Sequence, residues 1–263
     1  TLNNSVDITD IIGLNTANGT QVWIDESGTR LYTIVVDFIN GYTINQYSIS
    51  TPNDITSTIT YIGTSPSLGS STIFQNMVFS DDGSKVYVQN RNFVADRKIK
   101  QYTLSTNWDI STMSPTPNFS LVFLLNYSRG ICFNKTGDIF YMGYTGVGNQ
   151  EYLTSWNLST NWDLSTAGGP TTSNISSVAI TLFGLTTIIA SGLDTLIYYH
   201  GGDVDDLAFR NGISVGDIFD SDRSDIQGNM PISSSNSNYI YNLQRYGVSG
   251  QFTWKLNQYL TNV

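Results

Sequence analysis

A glycine and an aspartate recur along this chain at a fixed separation. Gly28, Gly83 and Gly137 are 55 and 54 residues apart, and Asp54, Asp109 and Asp163 each lie 26 residues beyond the glycine of their own unit. The glycine closes an apolar run: QVWIDESG (21–28), NMVFSDDG (76–83) and GICFNKTG (130–137), followed by TRLYT, SKVYV and DIFYM. The aspartate sits in QYSISTPNDITS (46–57), QYTLSTNWDIST (101–112) and SWNLSTNWDLST (155–166). Two markers in one register define a structural repeat. A unit of this length cannot bury its apolar faces alone and must stack on its neighbours.

Weaker copies follow. VAITLFGLTTIIAS (178–191) repeats the strand–turn–strand element around Gly184, and DTLIYYHGGDVDDLA (194–208) follows it, with Asp206-Leu207-Ala208 in the place of the marker. MPISSSNSNYIYN (230–242) opens a fifth unit, with QFTWKLN (251–257) standing where KQYTLS stood. That unit runs out before its marker, and Asp7-Ile8-Thr9 supplies the missing piece from the other terminus. The expected architecture is all-β: a five-bladed β-propeller of four-stranded antiparallel blades, with an N-terminal strand completing the last blade. The blades fall near 17–62, 73–125, 129–176, 177–220 and 227–263 plus 5–11, in a single domain. Innermost strands are expected around 21–25, 76–80, 130–134, 177–181 and 229–233. Such closure pairs edges that would otherwise invite aggregation.

The residues suit this plan. Asp-Asp-Gly at 81–83 is a tight-turn signature, since the carboxylate bonds nearby N–H groups and glycine accepts positive φ. Alternation in KVYV and RLYTIVV turns both strand faces toward neighbours. Asp109 and Asp163 are expected to accept bonds from the N–H groups that follow them, with Trp108 and Trp162 covering the rim of the blade. Charged residues are only 13% of the chain, but aromatics reach 13% and hydrophobics 40%, which argues against disorder.

The pattern F-S-x-D-G-x-K-x-Y … Q-Y-x-L-S-T-x-W-D-x-S-T, strongest from Phe79 to Thr112, resembles propeller repeats of bacterial and phage proteins, notably virion and surface proteins of aquatic phages. It is also similar to WD-repeat and YVTN-type propellers, although the Trp-Asp pair here falls in the turn after the third strand and the Gly-His element is absent. The resemblance implies a rigid module located on a virion or at an extracellular or cell surface. Its implied partners are other virion or surface structural proteins, or a host glycan. It leaves function open, because propellers host enzymes, lectins and scaffolds alike.

Charge and chemistry narrow the options. A net charge of −9 argues against a nucleic-acid partner, which needs a basic face. No stretch approaches the ~18 apolar residues of a spanning helix, so no membrane insertion is expected. The sole histidine, His200, ends a strand-like run without an orienting partner, and Cys132, the sole cysteine, reads as a buried thiol. No catalytic residue is assigned. Asp220, Asp222 and Asp225 form the densest oxygen cluster and the one candidate for calcium, but they lack the glycine and glutamate of an EF-hand loop. No cofactor is otherwise expected. The alternative to a binding module is a carbohydrate-active hydrolase or lyase at the channel mouth. Against it, the expected innermost strands hold one acid, Asp25, which itself fits the turn.

One face stands out. The connections between second and third strands carry aromatics (Phe38, Phe93, Tyr144 and Tyr246) beside amides and guanidinium groups (Asn40, Asn90, Arg91, Asn149 and Arg245). Rings that stack on sugars, beside groups that bond hydroxyls, suit a glycan- or protein-binding surface.

Overall fold

The structure, a computed structural model, describes residues 2–7, 22–37, 41–69, 73–91, 98–123, 127–145, 151–174, 185–190, 197–201, 226–233, 239–246 and 253–260. These form eighteen strands, all paired antiparallel. β2 (Val22–Ile24), β3 (Arg30–Asp37), β4 (Gly41–Ile49) and β5 (Ile59–Thr64) make the first four-stranded sheet in that order. The second runs β6 (Ile73–Phe79), β7 (Lys85–Arg91), β8 (Lys98–Thr103) and β9 (Phe119–Val122). The third runs β10 (Tyr127–Phe133), β11 (Ile139–Thr145), β12 (Glu151–Asn157) and β13 (Thr171–Asn174). β14 (Leu185–Ala190) and β15 (Ile197–Gly201) pair with each other. The last sheet orders β16 (Ile226–Ser233), β17 (Tyr239–Tyr246) and β18 (Thr253–Leu260), with β1 (Leu2–Asp7) on the free edge of β18.

The strands form because short apolar runs alternate with turn residues, and the second sheet buries apolar side chains against both the first and the third. Between the first and second sheets lie Trp23, Tyr32, Ile34 and Ile44 against Met77, Phe79, Val86 and Val88. Between the second and third lie Tyr87 and Ile99 against Ile131, Phe133, Phe140 and Met142. First strands pack in chain order, β6 on β10, β10 on β14 and β14 on β16, and β16 packs on β2.

Two expectations shift, and a third falls outside the described residues. The strand between β10 and β16 is β14, at 185–190, whereas the expected segment 177–181 lies outside the described residues. At the N-terminus, Asp7 ends the edge strand instead of preceding it. Ser5 pairs with Asn257 and Asp7 with Lys255, so Asp7 lies within the edge strand, while Ile8 and Thr9 of the expected marker lie outside the described residues. In the complete sheets the marker lies between the third and fourth strands; here that place falls beyond Leu260. The fifth unit is also shifted within its third strand. Gln46 pairs with Tyr32 and Gln101 with Tyr87, and the residue paired with Tyr241 is Gln258, not Gln251. The Gln-Tyr at 258–259 is therefore the counterpart of Gln46-Tyr47 and Gln101-Tyr102.

Candidate functional site

The chemistry-bearing residues of the described chain gather at the two markers, and the markers touch. The residue before each marker aspartate takes a left-handed conformation: Asn53, Trp108 and Trp162 have φ of 59°, 67° and 60°. Its N–H donates to the carbonyl of the turn glycine, at 3.0 Å for Asn53–Gly28, 2.9 Å for Trp108–Gly83 and 2.7 Å for Trp162–Gly137. The side chain then lies flat over that glycine, so a Cβ added to Gly83 would sit 2.1 Å from Trp108 Cδ2. Trp108, expected to cover the rim of the blade, stacks on Trp23 (5.7 Å between centroids, 19° between planes) and lies beneath the Arg30 guanidinium at 5.6 Å.

The marker aspartate caps one short turn. Asp109 Oδ1 accepts from Ser111 N–H at 3.1 Å and from its hydroxyl at 2.6 Å; Asp163 does the same with Ser165, and Asp54 with Thr56. The apolar residue between them (Ile55, Ile110 or Leu164) is fully buried as a plug. This is the Asx-type capping expected of the pattern.

Each marker turn is also gripped by the preceding sheet. The Tyr32 hydroxyl donates to Trp108 O at 2.7 Å, and Gln46 Oε1 accepts from Ile110 N–H at 2.9 Å. One unit on, Tyr87 donates to Trp162 O, Gln101 Oε1 accepts from Leu164 N–H at 2.8 Å, and Lys85 Nζ adds a bond to Trp162 O at 2.8 Å. Burial pushes the phenols of Tyr32 and Tyr87 far above the ordinary tyrosine range, so they remain donors at any working pH. From the last sheet, fully buried Gln258 donates through Nε2 to Asn53 O.

Six of the described aspartates are engaged in turns. Asp25 Oδ1 accepts from Thr29 and Arg30 N–H at 3.0 and 2.9 Å, and Oδ2 pairs with Arg30 at 2.7 Å. Ser80 and Asn134 hold the same place in the next two units, accepting from Lys85 and Ile139 N–H at 2.9 and 3.0 Å. Thr56 hydroxyl and N–H bonds hold Asp54 below the usual carboxylate range, and the Thr136 hydroxyl and Asn134 amide do so for Asp138. Burial raises Asp82 and Asp163, but bonds from Ser84 and Ser80, and from Ser165, Gln101 and the charge of Lys85, outweigh it and leave both lowered.

A carboxylate depressed in the fold stabilises it above the unfolded pKa of about 3.9 and loses that contribution as pH falls through the folded value. Thermal melts should therefore hold steady from neutrality to about pH 5 and drop below about pH 4. A fall beginning near pH 6 would contradict this assignment.

The expected binding face is only partly within view. Phe38, Asn40, Phe93 and Asn149 lie outside the described residues, as do Asp220, Asp222 and Asp225 of the calcium candidate. Arg91 ends β7, and Arg245 and Tyr246 end β17, at the connection to the third strand. Asn90 is 0% exposed, and Tyr144 is 7% exposed and stacked on Tyr152 at 5.0 Å. Cys132 is buried in β10, and His200 pairs with Thr187 between β15 and β14. Among the described residues, no three His, Cys, Asp or Glu side chains come together as a metal site.

No family model and no curated protein matches the chain. Its structure is similar to the β-propeller domain of Cps50 (Swd1) from Myceliophteria thermophila, with a TM-score of 0.44 and 8% identity, over 98% of this chain and 100% of that one. A protein described as a 6-phosphogluconolactonase from Bacteroides uniformis gives 0.43 and 10%, over 92% and 72%. Polysaccharide lyase Uly1 gives 0.45 and 10%, over 92% of this chain but 57% of the lyase. At such scores the likeness carries no argument, and the sheet order and inter-sheet bonds stand on their own.

Proposed function

We propose that this chain is a five-bladed β-propeller, closed where β1 joins β18 and β16 meets β2, that works as a non-enzymatic interaction module. Its setting is a phage virion, as a tail-fibre, head-fibre or decoration domain, or a bacterial surface; its partner is a host glycan or another structural subunit. The virion or surface setting rests on the resemblance of the repeat. The observation that carries the non-enzymatic reading is the use made of the acids. Asp25, Asp54, Asp82, Asp109, Asp138 and Asp163 each hold hydroxyls or amides of their own turn. An acid catalyst needs a raised pKa and a free approach to substrate, and four of these are lowered. A rigid disc then serves to present loops, with many copies on a particle adding weak contacts into strong attachment.

The test is binding to a glycan array, host cells and virion proteins, with turnover assayed on the same polysaccharides. Saturable binding without turnover is expected, lost in the combined Phe38→Ala, Phe93→Ala, Tyr246→Ala variant. Turnover abolished by one carboxylate substitution would make the protein an enzyme. Unchanged binding by the triple variant would remove the aromatic face.

A further inference from the structure

The seams between sheets take up large apolar side chains, the first seam lying between the first and second sheets and the second between the second and third. Among the described residues, Tyr61, Ile62 and Val122 depart from this, at 52%, 55% and 61% exposed. Tyr61 and Ile62 lie on β5 and Val122 on β9, so all three belong to the outermost strands of neighbouring sheets. The chain around those strands is uncharged. Residues 55–80 and 110–128 contain no Asp, Glu, Lys or Arg, in a molecule of net charge −9. Four acids of these two units sit in turns instead, at Asp25, Asp54, Asp82 and Asp109.

An outermost strand leaves one row of backbone N–H and C=O groups unpaired, and charges on such an edge are a common guard against pairing with another chain. β5 carries a different guard. Gln46 pairs with Gly63 and Tyr47 with Tyr61, which leaves Ile62 as an unopposed bulge that breaks the edge. β9 carries neither guard. Its register with β8 runs unbroken from Lys98–Val122 to Gln101–Phe119, and Pro115 and Pro117 precede the strand without entering it. We propose that the β9 edge is a self-association surface, on which a second copy of this chain pairs its own β9 antiparallel, with Val122 packed against the partner. Charge selects this occupant. A two-fold contact sets a patch against itself, so a patch of one sign opposes like charges, whereas an uncharged one is self-complementary. Two copies of net charge −9 repel on approach, and least along a run that carries no charge. A four-residue edge makes a small interface, so the pair is weak in solution and gains strength where copies are held side by side. The inference concerns the rim and is independent of what the connections between second and third strands bind.

The experiment is sedimentation velocity on the full chain from about 5 to about 500 µM. A monomer–dimer shift should appear with rising concentration. It should be stronger at about 0.5 M than at about 0.05 M salt, because salt screens the repulsion between copies. Val122→Lys should weaken the dimer at least about tenfold, although it lowers the net negative charge. Its melting temperature should stay within about 2 °C of the parent, because the site is exposed. Asn107→Lys adds the same charge at an exposed position in the marker turn and should leave the dimer intact. A monomer throughout the range would overturn the proposal and leave the edge to a different protein. A dimer that Val122→Lys leaves unchanged, or that high salt dissolves, would overturn it by placing the contact elsewhere.

Discussion

Replacing Gly83 with alanine should lower the melting temperature by on the order of 10 °C. Two costs add. Gly83 has φ of 69°, a conformation that charges an L-residue about 1–2 kcal/mol. The new Cβ would also lie 2.1 to 2.5 Å from three atoms of the Trp108 indole. The ring cannot simply lift, because it is stacked against Trp23 and Phe79 and its carbonyl is held by Tyr32. Displacing it breaks the first seam, for a total above about 4 kcal/mol. Gly137→Ala should behave alike, its Cβ meeting Trp162 Cε2 at 2.2 Å. Gly169 has open space around it, and Gly169→Ala should stay within about 0.5 kcal/mol of the parent. Thermal melts of the three variants decide the matter; if Gly83→Ala melted like Gly169→Ala, the contact between the markers would not be structural.

That contact explains why the repeat was legible. The constant 26-residue spacing between glycine and aspartate reflects two turns that sit on one another, so neither can drift. The marker chemistry was legible for a similar reason: Asp-Ile-Thr, Asp-Ile-Ser and Asp-Leu-Ser advertise a local cap. The inter-sheet grip is not legible in the same way, although its signal is present in Gln-Tyr at 46–47, 101–102 and 258–259. Within a strand these residues look like ordinary alternation, and only the antiparallel register shows each glutamine aligned with Tyr32, Tyr87 or Tyr241. The fifth unit is ambiguous in sequence for the same reason, because Gln251 offers a similar dipeptide context seven residues before Gln258, the residue that pairs with Tyr241. An aromatic near a strand end, such as Tyr144, reads equally as a contact residue or as packing, and its stacking on Tyr152 belongs to tertiary structure.

Asp25→Ala should cost about 2–3 kcal/mol, whereas Asp25→Asn should cost less than about 1. Alanine leaves the N–H groups of Thr29 and Arg30 without their acceptor at a residue only 2% exposed, and takes the partner from Arg30, which is 38% exposed. Asparagine keeps an acceptor oxygen, and Asn134 already does this task in the third unit. Chemical denaturation of both variants measures the difference. A catalytic carboxylate would show the reverse pattern, with asparagine abolishing turnover at unchanged stability. Equal losses for the two substitutions would mean that charge, not hydrogen bonding, holds the turn.

The seat that receives Gln258 is unlike the other two. Trp108 and Trp162 present an indole over their glycine, while Asn53 presents a short amide over Gly28. Near-identical units risk pairing with the wrong neighbour as they fold, or with a neighbour from another molecule. An amide offers a smaller surface than an indole, and the carbonyl of Asn53 accepts from Gln258 of β18. The seat over Gly28 thus differs from those over Gly83 and Gly137 in the residue type that covers the glycine, and it is the seat whose carbonyl accepts from Gln258 of the last sheet.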